Sequence, residues 1–232
     1  MQKHLFGIAF LVVWVFIPCV SAENNTLTTQ EKYKGWELLF DGKTFKGWRN
    51  YRAKGVRDGW KVLDGTMHHT KKGGDLITNK MYGDFVLKLD WKISKGGNSG
   101  IFLGVRESKR PIYHTGIEMQ IIDNAAHPDA QHAKHVAGAC YGLYKPPVGA
   151  SKNAGEWNQV KIVKQGDHYQ FFLNEVKTAD FRTGSEAFKK RVAASKFKQW
   201  KNFAKHQVGH IGLQDHGDEV SFKNIKILEL DE

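Results

Sequence analysis

Residues 84–93, DFVLKLDWKI, alternate with a period of two: Phe85, Leu87, Leu89, Trp91 and Ile93 fall on one side of an extended chain, Lys88, Asp90 and Lys92 on the other. A helix would scatter these residues around its axis, so the pattern predicts a strand with one buried and one wet face. The alternation recurs in 99–106, where Ile101, Leu103 and Val105 oppose Phe102, Gly104 and Arg106. It recurs again in 116–122, where Ile117, Met119 and Ile121 oppose Glu118 and Gln120. Further strands are expected at 156–164, 168–173, 176–180, 209–214 and 219–229, with Asn174 and Glu175 at a two-residue hairpin turn. Strands parted by Gly- and Asp-rich turns predict an all-β domain of two packed antiparallel sheets. The exception is 185–203, where Phe188, Val192, Phe197, Trp200 and Phe203 form a helical stripe among Lys and Arg, so one or two short helices are expected there. No internal repeat or linker divides the chain, and 23–232 reads as a single domain.

The first residues read differently. Lys3 and His4 precede an apolar run over 5–20, and Val20-Ser21-Ala22 supplies the small residues of a cleavage site before Glu23. Residues 1–22 are therefore expected to be a cleaved export signal, which sends the protein to the periplasm or outside the cell. Lipidation at Cys19 is the weaker alternative, because Phe16-Ile17-Pro18 lacks the small residues such a site prefers. No later segment is apolar enough to span a bilayer. Asn24-Asn25-Thr26 is a glycosylation sequon. Cleavage leaves Cys140 as a lone cysteine in a small-residue stretch, which predicts a buried inert thiol and no disulfide. The formal net charge is +11, with the surplus concentrated in 188–205. An export signal argues against nucleic acid as the partner; outside the cell a basic surface serves adhesion to anionic polymers or solubility.

Five stretches taken in order carry a resemblance: "WELLFDGKTFKGW", "GGNSGIFL", "GIEMQIIDN", "GEWNQVKI" and "GHIGLQDHGDEVSFKNIKI". Together they resemble the 3-keto-disaccharide hydrolase domain family, over nearly all of the chain after the leader. The resemblance implies a concanavalin-like jelly roll whose concave sheet carries a sugar-binding groove. It also implies an exported protein acting on glycosides whose C3 hydroxyl has been oxidised to a ketone, by elimination rather than direct displacement. An oxidoreductase acting at C3 of the sugar is then the implied functional partner. Two other readings fit the same fold: a non-catalytic carbohydrate-binding module, and a conventional glycoside hydrolase with two carboxylates across the anomeric carbon.

A C3 ketone acidifies the C2 hydrogen, so the site needs a base, a group to hold the enolate oxygen and an acid for the leaving group. Glu118 and Gln120, two apart on one strand, point to the same side, and Glu118 is the first candidate for a catalytic base or a metal ligand. Asp123 ends that strand as a substrate contact or an ordinary turn former. His127, Asp129, His132 and His135 crowd the next loop without a strict metal spacing, His135 being the best substrate-contact candidate among them. With Ile211 and Leu213 in the core, Gln214 is expected to face the groove near Glu118. Asp215 and His216 then form a candidate catalytic proton-transfer pair, or Asp215 caps backbone amides in a turn. Asn98 and Arg106 are candidate substrate contacts; Ser99 is not assigned as a nucleophile. Trp48, Trp60 and Trp157 are either sugar platforms or core, and Lys196 or Lys198 could border the groove. A divalent metal ion, calcium or a transition ion, is a candidate cofactor for a region this rich in Glu, Asp and His.

Overall fold

Alternation becomes strand throughout the computed structural model, which describes residues 23–230. The expected export leader lies outside the described residues. In chain order the strands are β1 (Glu37–Leu38), β2 (Trp48–Asn50), β3 (Trp60–Leu63), β4 (Thr66–His69), β5 (Leu76–Thr78), β6 (Phe85–Ile93), β7 (Asn98–Val105), β8 (Ile117–Ile122), β9 (Asn158–Gln165), β10 (His168–Leu173), β11 (Val176–Arg182), β12 (His210–Leu213) and β13 (Val220–Glu229). A short helix, α1 (Thr29–Tyr33), precedes them, and α2 (Glu186–Ala193) with a 3₁₀ turn (Lys196–Gln199) occupies the expected helical region. Among the described residues no helix is long and apolar enough to cross a membrane.

Eight strands form one antiparallel sheet in the order β11-β10-β9-β6-β13-β4-β3, with β1 beside β13. The other five form a second sheet, β2-β5-β12-β7-β8. This is the expected jelly-roll sandwich. Between the sheets, Leu87, Leu89 and Trp91 of β6 and Phe222 of β13 join one core cluster with Ile101, Leu103, Met119, Ile121, Ile211 and Leu213. Each such side chain contributes roughly 1.5–3 kcal/mol on leaving water. Asn174 and Glu175 turn β10 into β11 with φ of 48° and 69°, the paired positive angles that a two-residue hairpin of this hand requires. Trp48 and Trp60 are core residues, each donating its indole N–H to a carbonyl, of Leu39 at 2.6 Å and Gly74 at 2.9 Å. Neither is a sugar platform.

One departure from strict alternation changes the far end of β7. Gly104 has φ 68°, and the register to β12 slips, so that Val105 pairs with His210 while Phe102 pairs with Gly212. An extra residue in one strand moves everything beyond it to the opposite face. Val105 therefore packs with Phe102, Ile77 and Ile112 in a small second cluster rather than beside Ile101 and Leu103. Arg106, expected on the groove side with Phe102, is turned away by the same bulge.

Candidate active site

The face of the five-stranded sheet that points away from the main core carries two rows of side chains. Ile77, Gly212, Phe102 and Glu118 pair across β5, β12, β7 and β8. In the next row Gln214 donates its backbone N–H to Gly100, and Gly100 pairs with Gln120. Gly100 leaves a gap that a methyl group would close: a Cβ there would collide with Oε1 of Glu118. The carboxyl thus lies over the glycine. Beyond β8 the chain returns along the sheet edge, with Gln120 N–H bonded to Ala139 O, Gly138 N–H to Gln120 O and Tyr141 N–H to Glu118 O. That extra edge pairing fixes Tyr141 beside Glu118.

Here a cavity of about 300 Å³ opens, lined by Asn98, Glu118, Gln120 and Gln214 from the sheet, with His216 just past β12. Asp129, Tyr141, Lys196, Tyr113 and Trp200 close it from the loops. The cavity satisfies the expectation that Glu118 and Gln214 face one hollow. Ser195 caps the 3₁₀ turn by accepting from Phe197 N–H at 3.2 Å, and Phe197 stacks on Phe203 at 4.2 Å between ring centres. This anchoring leaves Lys196 free to reach Tyr141, whose hydroxyl accepts from its Nζ at 3.3 Å. The Tyr141 hydroxyl donates to Asp129 at 3.1 Å, and the other oxygen of Asp129 is 2.8 Å from His135 Nδ1. Tyr113, 38% exposed, and Trp200 stand at the mouth with ring centres 5.1 Å apart.

The electrostatics are uneven. Burial pushes the Glu118 carboxyl from 4.5 up to about 8, opposed by the Lys196 ammonium and reinforced by Asp75 and Asp129. Although one side of Glu118 meets the cavity, protein surrounds the rest of it. For Asp129 burial acts upward, but the bonds to His135 and Tyr141 and the His135 charge hold it below the usual carboxylate range. Burial, and then the Tyr141 link to Asp129, raise the Tyr141 hydroxyl, which stays a donor at neutral pH. Gln120 is 1% exposed, and the side-chain oxygens of both Gln120 and Gln214 are buried without a hydrogen-bond partner. An unpaired buried carbonyl costs roughly 1–3 kcal/mol, and both amides that carry one line this cavity, which marks them as polar groups the fold itself leaves unsatisfied.

Several sequence expectations change. Asp215 does not hold the His216 ring: its carboxylate accepts from the backbone N–H groups of Gly73, Gly74 and Gly217 and lies 2.9 Å from Nε2 of buried His69. It caps a turn, as the alternative reading had it, and does not line the cavity. His216 sits on the rim instead, 3.7 Å from Asp218. Asp123 is spent on the turn after β8, accepting from Gly96 and Ala125 N–H. Arg106, displaced by the bulge, donates to Met81 Sδ and lies outside the cavity. His135 is one step removed, stacked 4.4 Å from the Tyr141 ring and holding Asp129. Lys196 lines the cavity and Lys198 does not. Tyr141, Tyr113 and Trp200 were not among the expected site residues, and Asp129 was noted only within the His-rich loop; Tyr113 and Asp129 sit on single 3₁₀ turns too short to announce a face, and Trp200, read as part of a helical stripe, ends a third. Cys140 is buried, and burial with the nearby Glu118 raises its thiol, in keeping with an inert cysteine.

Two groups could hold a divalent cation: His127, His216 and Asp218, and Asp129, His132 and His135, each offering ligand atoms within 4.8 Å of one another. Imidazole-rich sets of this kind suit a zinc-class ion better than calcium. Within them His127 Nδ1 already accepts from Asp129 N–H and Asp129 already binds His135, so a metal would have to displace existing hydrogen bonds.

Comparison with known proteins gives a consistent picture. Residues 35–228 match the profile of the 3-keto-alpha-glucoside-1,2-lyase-like domain. A 3-keto-disaccharide hydrolase from Bacteroides thetaiotaomicron is 34% identical, across 91% of this chain and 84% of its own length. A crystal structure of a provisionally assigned glycosyl hydrolase from Parabacteroides distasonis superposes with a TM-score of 0.85 at 34% identity, covering 90% of this chain and all of that one. A Bacillus subtilis protein with a galectin-like fold superposes at a TM-score of 0.52 and 11% identity, over 90% of this chain and 95% of its own, which is a likeness of fold alone.

Proposed function

The chain belongs to the 3-keto-alpha-glucoside-1,2-lyase-like domain family, and on that premise we propose that it is an enzyme cleaving 3-keto-glycosides at the anomeric bond. Glu118, ionised, takes the proton from C2 of the sugar. The electron pair of that C–H bond passes into an enolate across C2 and C3, whose oxygen the Lys196 ammonium holds with Tyr141 beside it. Collapse of the enolate restores the ketone, forms a C1–C2 double bond and expels the C1 substituent, which is protonated by His216 at the rim. Water then adds at C1 and a proton returns to C2, for net hydrolysis. The amides of Gln120 and Gln214, which line the cavity, meet sugar hydroxyls.

One observation carries this reading: the Glu118 carboxyl, lifted to about 8, lines one cavity with Gln120 and Gln214, whose amides the fold leaves partly unpaired. A carboxylate of that basicity removes a carbon-bound proton far better than an ordinary one. A second reading, direct displacement by a carboxylate pair, draws support from Asp129, held low in the same cavity as the raised Glu118. Export directed by the leader, and an oxidoreductase that makes the ketone, belong to the same proposal. The test is to incubate the protein with a 3-keto-glycoside and with its unoxidised parent. Cleavage of the keto form alone is expected; cleavage of the parent would favour the carboxylate pair, and binding of either without turnover would leave only a carbohydrate-binding role.

A further inference from the structure

The outer face of the eight-stranded sheet lies on the opposite side of the sandwich from the Glu118 cavity and holds a like-charged row. In register, Lys226 of β13 pairs with Lys88 of β6, Lys88 with Lys161 of β9, Lys161 with Phe172 of β10, and Phe172 with Lys177 of β11. Side chains paired directly across antiparallel strands share a face with Cβ atoms about 5 Å apart, and like charges placed so are destabilising. Three lysines on three adjacent strands, with a fourth two strands further on past Phe172, make an arrangement that solubility does not require. Lys226 is offset by Glu31 and Lys177 by Asp180. Among the described residues Lys88 and Lys161 have no ion pair; their ammonium groups rest over the rings of Trp36 at 4.9 Å and Phe172 at 4.0 Å. Further along the same sheet, Lys223 and Lys92 stand over Trp157 at 4.4 and 5.1 Å. A cavity of about 580 Å³ runs over this row, with the amides of Gln159 and Asn224 in its wall. Asp90, accepting from Asn224 at 2.7 Å, also lies there, with Glu23 and Glu175 in the same wall.

We propose that this face is a second binding site, for a polysaccharide carrying carboxylate or sulfate groups. The anionic groups of the glycan supply the counter-charge that Lys88 and Lys161 lack, the amides meet sugar hydroxyls, and the rings under the two ammonium groups hold them in place. The site would hold the protein on an acidic glycan while the Glu118 cavity stays open on the other sheet.

The experiment is electrophoresis of the protein through native gels containing dextran sulfate, polygalacturonate, neutral dextran or double-stranded DNA, at several salt concentrations. Retardation by an acidic polysaccharide, none by neutral dextran and less by DNA is expected. The Lys88→Gln, Lys161→Gln double variant should weaken that retardation about fivefold to tenfold, the scale of two partly exposed charge contacts. A Lys190→Gln, Lys198→Gln variant removes the same formal charge from the other side of the chain and should retain it. Circular dichroism melts establish that both variants are folded. Absence of retardation, equal loss in both variants, or DNA binding as strong as polysaccharide binding would overturn the proposal.

Discussion

Replacing Glu118 with Gln should make the protein more stable at high pH while removing its activity, because Gln mimics the neutral carboxyl that the buried site prefers. In the folded chain the carboxyl titrates near 8, against 4.5 ordinarily. The folded protein therefore holds this proton more tightly than the unfolded chain. The stabilisation is complete below 4.5 and is lost as pH rises through the interval up to about 8. At roughly 1.4 kcal/mol per pH unit the full span amounts to about 5 kcal/mol. Solvent in the open cavity screens part of this, leaving roughly 2–4 kcal/mol. Urea denaturation of wild type and Glu118→Gln at pH 5, 7 and 9 reads the quantity as a difference of differences. Titrating groups that do not interact with Glu118 are common to both proteins and cancel. The variant should gain on the wild type by 2–4 kcal/mol between pH 5 and pH 9, by the screened range above. Its kcat on a 3-keto-glycoside should fall about 10²- to 10⁴-fold, the usual size of a proton-transfer contribution. Stability curves that stay parallel across this pH range would refute the burial argument, and unchanged kcat would refute the role.

Three further substitutions test the surroundings. Gly100→Ala places a methyl against the Glu118 carboxyl and should lower kcat at least about tenfold while changing stability by no more than about 1 kcal/mol, read from turnover and melting together. Asp215→Asn should cost about 1–3 kcal/mol in urea melts at pH 7, because it replaces the carboxylate that accepts from the Gly73 and Gly74 N–H groups by a neutral amide. Since the Asp215 carboxyl is held below its usual range, that loss should shrink as pH falls below 3.8. Arg106→Gln should leave kcat/KM within about twofold, because the guanidinium is held by Met81 and Val208 outside the cavity.

The long strands were legible because β6, β9, β10 and, up to its bulge, β13 bury one face and wet the other, while β8 buries both but keeps its polar residues on the cavity side, which writes period two into the sequence. β1 to β5 are two to four residues long, too short to establish a period, and sequence reading passed over them. Within the site, Glu118, Gln120 and Gln214 could be found because strand geometry alone aims them. Arg106 was misdirected by a single bulge at Gly104, a glycine whose positive φ leaves no mark in the hydrophobic pattern. Asp215 followed a different logic: an Asp two residues before a Gly is what a turn needs, and the turn took it. Tyr141 and Lys196 depend on a return strand and an aromatic anchor far apart in sequence, so only the folded chain brings them together.

Running the reaction in heavy water and reading the product by proton NMR tests the C2 chemistry most directly. Elimination followed by hydration predicts deuterium at C2 of the released keto sugar, beyond the exchange of that sugar incubated without protein, and none in reactions with Glu118→Gln. A product that keeps its C2 hydrogen while the glycosidic bond is cleaved would contradict the account and point to displacement at the anomeric carbon.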